Sequence, residues 1–425
     1  MRILHVNKFL YRRGGAEGYM LDVAALQRAA GHEVGLFGMD HPENDAPQPL
    51  RDTFPPFVEL EPAPSGLAGI RASARMVWSG SSAKGIERAI REFRPDLVHC
   101  HNIYHQLSPS VLRPVARAGI PCVMTLHDYK LACPSYQMLD HGRPCDACVG
   151  RGTWHAAAKR CKNGSLPGSV LLAVESGVHR ALDAYGPVDA FISPSRFLAS
   201  VMVRQGMARD RIHVVNNFTR IPEATDGAQA GEGFVVAGRL SHEKGVDTAI
   251  RAIGRLSGAS VLHVAGDGPE RPGLEDLANQ VAPGRVVFHG RIGADELAAL
   301  VRHSRALLVP SRWYENQPMT VLEAFAASTP VVVTDLGGMP ELVDPGVEGL
   351  VVRANDERLL ARALARLEAD PGEAVAMGMA GRRRLEQDFS ATTHLSRLGA
   401  VYEQARTTAA RSAKRPVLQG SRGSL

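Results

Sequence analysis

Glu315 and Glu323, with seven residues between them, fall in the segment Ser311-Arg312-Trp313-Tyr314-Glu315-Asn316-Gln317-Pro318-Met319-Thr320-Val321-Leu322-Glu323-Ala324-Phe325. Carboxylates suit ligands rich in hydroxyl groups, such as ribose or hexose, because they accept strong hydrogen bonds from O–H donors. The run Ala306-Leu307-Leu308-Val309 just before them reads as a buried parallel strand. Pro318 suits the first turn of a following helix. That order predicts Glu315 in a strand-to-helix loop and Glu323 about a turn and a half into the helix. Both would face the carboxyl edge of the sheet, where open α/β folds bind ligands. A capping Glu and a solvated helix Glu are the plainer reading.

Other residues could serve the same chemistry. Arg239 and Lys244 are five apart in Gly238-Arg239-Leu240-Ser241-His242-Glu243-Lys244-Gly245, after the strand-like Phe234-Val235-Val236-Ala237. A planar guanidinium fork and a compact ammonium both suit phosphate oxygens; a solvated loop pair is the alternative. Gly14-Gly15 precedes a helix expected from near Ala16, where backbone N–H groups and the helix dipole favour an anion. A tight turn explains the same two glycines. Gly337-Gly338 also reads as a turn first and a close approach to ligand second. His127 ends the strand Cys122–Leu126, where a neutral imidazole could bond a sugar hydroxyl or merely cap a loop. Asp128 beside it reads as orienting loop backbone. His99 and His101 alternate with Val98 and Cys100, so with Asn102 they read as cleft wall.

These residues need elements to position them. Short β-like runs alternate with helical patterns: Arg2–Val6, Glu33–Phe37, Leu97–Cys100, Cys122–Leu126, Ala190–Ser193 and His213–Val215, with helical stretches such as Gly18–Ala30 and Ser108–Ala118 between them. The second half repeats the alternation near Phe234–Ala237, Ser260–Ala265, Val286–Phe288, Ala306–Val309 and Val331–Val333. Such alternation makes parallel sheets covered by helices. The reading is an α/β chain with a first domain at 1–220, a polar, glycine-containing linker at 221–232 and a second domain at 233–390.

Taken in order, the motifs carry a resemblance. Gly14-Gly15-Ala16-Glu17, Asp96-Leu97-Val98-His99-Cys100-His101-Asn102, Thr125-Leu126-His127-Asp128, the Arg239–Lys244 loop, Gly266-Asp267-Gly268-Pro269, His289-Gly290-Arg291, the two glutamates and Gly337-Gly338-Met339-Pro340-Glu341 follow one another. The set resembles the family-4 retaining glycosyltransferases of the GT-B fold, from about Met1 to Tyr402. The Glu, seven residues, Glu spacing is that family's hallmark.

The resemblance implies two Rossmann-like doubly wound domains facing across a cleft, with a nucleoside-diphosphate sugar donor against the second and the acceptor against the first. It implies that Arg239 and Lys244 contact the diphosphate, that Glu323 holds the ribose hydroxyls and that Glu315 holds the donor sugar. It puts Glu315, His127, Arg239 and Lys244 in the catalytic set. Gly14, Gly15, Asn316 and Gln317 join the donor side, and His101, Asn102 and Asp128 the acceptor side. It also implies a last helix, 391–405, crossing back onto the first domain, and no catalytic metal. Many relatives carry Gly-Phe-Gly after the first Glu, whereas this chain has Asn316-Gln317-Pro318. Pro318 lacks an N–H, so Asn316 and Gln317 could donate instead, and the donor sugar stays open. The acceptor would be a glycan, a lipid-linked glycan or a small molecule. A sugar-nucleotide epimerase on a similar fold and a non-catalytic sugar-nucleotide-binding protein are the competing classes. No G-x-G-x-x-G follows the first strand, which disfavours a dinucleotide oxidoreductase.

Six cysteines are unevenly placed. Cys100 and Cys122 fall in apolar strands and read as inert buried thiols. Cys133, Cys145, Cys148 and Cys161 cluster in a polar segment, 133–161, that cannot build its own core. Four thiolates on one zinc would fold it; two disulfides, free thiols or a redox CxxC are the alternatives. The segment follows His127-Asp128 and is expected to overhang the acceptor side.

The net charge is +5, and Arg406, Arg411, Lys414, Arg415 and Arg422 with no acid account for it. The body is therefore near neutral, which argues against a nucleic-acid-binding body. The stretch 406–425 reads as a disordered basic tail. No run of about 18 apolar residues and no signal core are visible, so the expected compartment is the cytoplasm. Arg71, Arg75, Lys84, Arg88, Arg91 and Arg94 accompany Ile70, Met76, Val77 and Trp78, so contact with the inner membrane face or an ordinary surface helix pair are both open.

Overall fold

The computed structural model describes residues 1–45, 47–60, 66–222 and 231–413. The first lobe holds β1 (Arg2–Val6), β2 (Glu33–Phe37), β3 (Leu97–Cys100) and β4 (Cys122–Thr125). A small antiparallel hairpin of β5 (Leu139–Asp140) and β6 (Arg143–Pro144) follows, then β7 (Ala190–Ser193) and β8 (Ile212–Val214). The large sheet runs β2-β1-β3-β4-β7-β8, parallel throughout. The second lobe holds β9 (Phe234–Ala237), β10 (Leu262–Ala265), β11 (Val286–Gly290), β12 (Ala306–Val309), β13 (Val331–Thr334) and β14 (Gly349–Val352). Its order is β11-β10-β9-β12-β13-β14, again parallel. Central strands such as Leu97–Cys100 and Val331–Thr334 are buried along their whole length, which is why they read as unbroken apolar runs.

Strand and helix ends shift by a few residues from the sequence reading, and three differences are larger or bear on the site. Pro318 is the N-cap of the helix Met319–Ala326 rather than part of its first turn, with φ −66° and ψ 122°. Its ring fixes φ near the value already needed there, and the helix starts at the next residue. Gly349–Val352 is a strand that the apolar pattern did not announce. The terminal helix is longer than 391–405 and runs Ala391–Ala413. Arg406 therefore belongs to a helix, paired with Glu403 at 2.9 Å, and not to a tail. Residues 414–425 of the expected tail, and 223–230 of the expected linker, lie outside the described residues.

The terminal helix lies on the first lobe. Leu398, Val401, Tyr402 and Ala405 pack with Ile3, Val23, Leu97, Val123 and Ile192 in one buried cluster. The chain thus closes on itself, and the first sheet is covered by a helix whose sequence follows the second lobe.

Candidate active site

The strand ends of the two lobes meet through specific contacts. Asn316 donates from Nδ2 to the backbone carbonyl of His127 at 3.0 Å. Gln317 accepts from the Asn217 N–H at 2.6 Å. Glu341 accepts from the N–H groups of Arg196 and Phe197, at 2.7 and 2.6 Å, and so caps a helix of the other lobe. The rings of Phe197 and Tyr314 lie 4.9 Å apart across the same junction.

Glycines let the second-lobe loops press together. A Cβ on Gly245 (φ 68°) would lie 2.1 Å from the Pro310 carbonyl oxygen, so the loop carrying Lys244 rests on the end of β12. A Cβ on Gly338 would lie 1.9 Å from the Asn316 carbonyl oxygen, and the Gly338 N–H donates to Glu315 O at 2.7 Å. Gly337-Gly338 is therefore the turn that shapes the Glu315 loop.

Lys244 Nζ donates to Glu315 Oε1 at 2.7 Å, and Ser311 Oγ donates to the same oxygen at 2.8 Å. The Glu315 side chain is 8% exposed and that of Lys244 30%. Burial alone would push the Glu315 carboxyl up. The Lys244 charge and hydrogen bond, helped by Trp313 and Ser311, outweigh it and hold the carboxyl below its usual range. Glu315 is therefore an ion at neutral pH. The Trp313 indole N–H lies close enough to favour that charge without forming a bond of acceptable geometry. Lys244 also lies 5.4 Å from the Trp313 ring centroid. Glu323 is on an exposed face of its helix, yet the cleft walls around it raise its carboxyl above the usual value. Arg239 follows β9 and is exposed, and its guanidinium has no ion-pair partner among the described residues.

In the first lobe Gly14 is the N-cap of the helix Gly15–Ala29, without a side-chain cap. Both glycines are exposed, so the first-turn N–H groups are open to an anion. Asp128 is raised by burial, against the Lys130 N–H bond and the charges of Lys8 and Lys130.

The histidines need correction. His99 and His101 do not line a cleft wall: both are wholly buried. Asn102 is nearly buried, its N–H held by Asn7 Oδ1 at 2.9 Å. Side chains at alternate positions of a four-residue strand covered on both faces cannot reach solvent on either side. They form a relay instead. Gln27 Nε2 donates to Tyr402 OH at 2.9 Å, which leaves Gln27 Oε1 to accept from His5 Nε2 at 2.7 Å. His5 Nδ1 then accepts from His101 Nε2 at 2.9 Å, and His101 Nδ1 from His127 Nε2 at 3.0 Å. His5 and His101 each donate once and accept once, as a neutral ring does. Burial holds His5 down to about 4 and His127 down to about 3. The ligand atoms of His5, His99 and His101 lie within 4.8 Å of one another. Their lone pairs are already taken, since His99 Nδ1 also meets Tyr402 OH at 2.7 Å, so this is a hydrogen-bonded stack and not a metal centre. The relay makes Nε2 of His127 a donor and leaves its Nδ1 as an acceptor.

Gln317 also departs from the sequence reading. Both amide atoms engage Asn217, with Nε2 3.4 Å from its carbonyl, so this residue ties the lobes together in place of reaching for a donor. Asn316 spends its N–H on His127, and its Oδ1 is buried without a partner. Gln27 and Tyr402 were missed. They are 375 residues apart, and no local pattern links them.

Cys133, Cys145, Cys148 and Cys161 line one small hollow, together with Met138 and Ala156. None of the four is in a disulfide. Burial and the three neighbouring thiols push Cys148 up to about 12; burial, Cys133, Asp140 and Cys145 push Cys161 up to about 11. The four sulfurs are not all within 4.8 Å of one another.

Two six-stranded parallel sheets meeting at their carboxyl edges, with charged loops on the second and a terminal helix crossing to the first, are the architecture of the GT-B fold. A family model described as glycosyl transferase 4-like domain matches residues 14–217, and one described as glycosyl transferases group 1 matches residues 231–370. The chain belongs to this group-1, family-4-like glycosyltransferase family. It is 28% identical to glycogen synthase of Mycobacterium tuberculosis over 416 residues, covering 92% of this chain and 91% of that one. Among solved structures it is similar to sucrose-phosphate synthase from Thermosynechococcus elongatus, with a TM-score of 0.69 at 19% identity over 95% of this chain and 98% of that one. It is also similar to Anabaena HepE in complex with UDP-glucose, with a TM-score of 0.65 at 17% identity over 96% of this chain and all of that one. These two likenesses carry the fold.

Proposed function

We propose that this chain is a retaining transferase that takes a sugar from a nucleoside-diphosphate donor and passes it to a hydroxyl of a glycan, lipid-linked or small-molecule acceptor, in surface polysaccharide or glycoconjugate synthesis. The observation that carries the reading is the Lys244–Glu315 ion pair at the carboxyl edge of the second sheet, at the lobe junction, where Asn316 meets His127. Transfer breaks the bond between the anomeric carbon and a phosphate oxygen and forms one from that carbon to the acceptor oxygen. Negative charge grows on the departing diphosphate, and the acceptor's proton leaves on a phosphate oxygen. A fixed ammonium, an exposed guanidinium and open helix N–H groups are the groups that stabilise such charge. Lys244, Arg239 and the Gly14-Gly15 terminus supply them.

Glu315 and Glu323 take separate parts of the donor in this reading. Glu315 is ionised, beside Lys244, and so meets the sugar next to the phosphate. Glu323, about one turn along its helix, takes the ribose hydroxyls. His127 presents a lone pair, so it accepts from a sugar hydroxyl and does not donate. HepE, whose structure holds UDP-glucose, lends support to a donor of this class. A thermal-unfolding screen of UDP, GDP, ADP and their sugar conjugates tests the proposal. A ligand at about 100 times its Kd stabilises by about 2.7 kcal/mol. No shift with any of these nucleotides would count against the reading.

The four cysteines of the 133–161 insert are proposed to hold a structural zinc. Their convergence on one hollow without disulfides supports this, as does the mutual crowding of their thiols, which a cation would relieve. Tetrahedral ligation at about 2.3 Å would draw the sulfurs in from their present spacing.

A further inference from the structure

The helix Leu166–Ala181 is inside out. Its buried face carries Ser169, Glu175, Ser176 and His179, with Leu172 and Ala173 as the apolar members. Its solvent face carries Leu166, Val170 and Val174, which are 47%, 42% and 51% exposed. At 3.6 residues per turn, the outward arc from Leu166 through Gly177, Val170, Val174 and Val178 to Leu171 spans about 140° and contains no polar side chain. A surface helix normally has the opposite arrangement. The inward polar face has a clear reason: Glu175 accepts from Lys130 at 2.8 Å and pairs with His105 at 3.0 Å, behind the cleft loop that carries Asp128. Among the described residues nothing covers the outward apolar face.

The surroundings of that face are basic. The neighbouring helix Gly66–Val77 is tied to it by a bond from His179 Nε2 to the Val77 carbonyl at 2.7 Å. It exposes Ile70 at 67%, with Arg71 and Arg75 also exposed, and contains no acid. On the other flank Trp154 is 62% exposed, next to Thr153, whose hydroxyl donates to Ala173 O at 2.9 Å. Arg151 and Arg160 are exposed on that flank, whereas Lys159 is paired with Asp140, Arg180 is bonded to the Arg151 and Ala132 carbonyls, and Glu175 is buried and paired; the exposed Asp183 follows the helix.

We propose that this face is a docking surface for an anionic lipid bilayer, with Leu166, Val170, Val174, Ile70 and Trp154 entering the boundary between headgroups and acyl chains. An apolar stripe with an exposed indole and a cationic rim is the composition that binds such an interface. A second copy of this chain is disfavoured as occupant, because it would bring one cationic rim against another. The inference does not rest on the donor chemistry. Docking would hold the first lobe at the membrane, with the Glu175–Lys130 pair linking the docked helix to the cleft.

The test is flotation of the full chain with vesicles of phosphatidylglycerol and phosphatidylethanolamine, against vesicles of phosphatidylcholine alone. The chain should float with the anionic vesicles and be released in part by high salt. Val170→Glu/Val174→Glu should lower the bound fraction roughly tenfold without changing the unfolding temperature, because both sites face solvent. Arg71→Glu/Arg75→Glu should weaken binding to anionic vesicles by a similar factor. Equal association with both vesicle types, or binding unchanged in both variants, would overturn the proposal. So would a stable dimer on gel filtration that ignores vesicles and dissociates in Val170→Glu, since the face would then be a protein interface.

Discussion

Replacing Lys244 by Met keeps the chain length and removes the charge. The Glu315 carboxylate then keeps Ser311 at 2.8 Å but loses its cation at 2.7 Å. Removing one partner of a fully buried pair costs about 3–5 kcal/mol. Lys244 is 30% exposed, so water replaces part of the loss, and about half that cost, roughly 2 kcal/mol, is expected. The pH dependence follows from the sign of the shift. In the wild type the folded-state pKa of Glu315 lies below its unfolded value of 4.5. The pair's contribution is therefore fully present above the unfolded value and is lost as pH falls through the folded one. In Lys244→Met burial is left as the largest influence, the folded pKa rises above the unfolded one, and the carboxylate costs stability at neutral pH. The stability gap between wild type and variant should be largest near neutral pH and shrink as the buffer is brought to about pH 4. Urea unfolding across that range measures it. Lys244→Met/Glu315→Gln should recover much of the loss, since no buried charge is left stranded. A gap that does not change with pH, or a double variant no more stable than the single one, would refute the assigned coupling.

The other predictions concern the parts of the site separately. Transfer by Lys244→Met or Arg239→Ala should fall by at least about 10²-fold in steady-state assays, the loss of one preorganised charge contact. Glu323→Ala should weaken binding of UDP or GDP in calorimetry, whereas Glu315→Ala should leave that affinity nearly intact and lower turnover. His101→Phe cuts the relay behind His127; turnover should drop roughly fivefold, the worth of one hydrogen bond, with nucleoside-diphosphate affinity unchanged. Purified protein should carry about one zinc per chain by elemental analysis, and Cys148→Ser should release it and make the 133–161 segment protease-sensitive.

The alternating apolar runs made the two sheets legible, because strands buried on both faces show themselves as unbroken Val, Leu and Ile. Gly349–Val352 escaped notice since it opens on a glycine and only two of its four residues are buried. The sequence quoted Glu315, Glu323, Lys244 and Arg239 as charged groups near strand ends, which local spacing can show. It could not show that His99 and His101 turn inward. Alternation tells which side chains share a face, but not that a helix from residues 391–413 covers that face. The same limit hid Gln27, Tyr402 and the tie between Gln317 and Asn217, whose partners are a hundred residues or more away. The outward face of Leu166–Ala181 was hidden for a related reason. Its apolar positions show their outward direction only once the structure buries Glu175 and His179 on the other side.

The most direct measurement is the anomeric configuration of the product, followed by NMR from the first minutes of a reaction with the nucleoside-diphosphate sugar that the unfolding screen selects. If leaving-group stabilisation by Lys244 and Arg239 drives transfer on one face of the sugar, the new linkage should have the configuration of the donor linkage. A product of inverted configuration, formed before any mutarotation, would contradict the account.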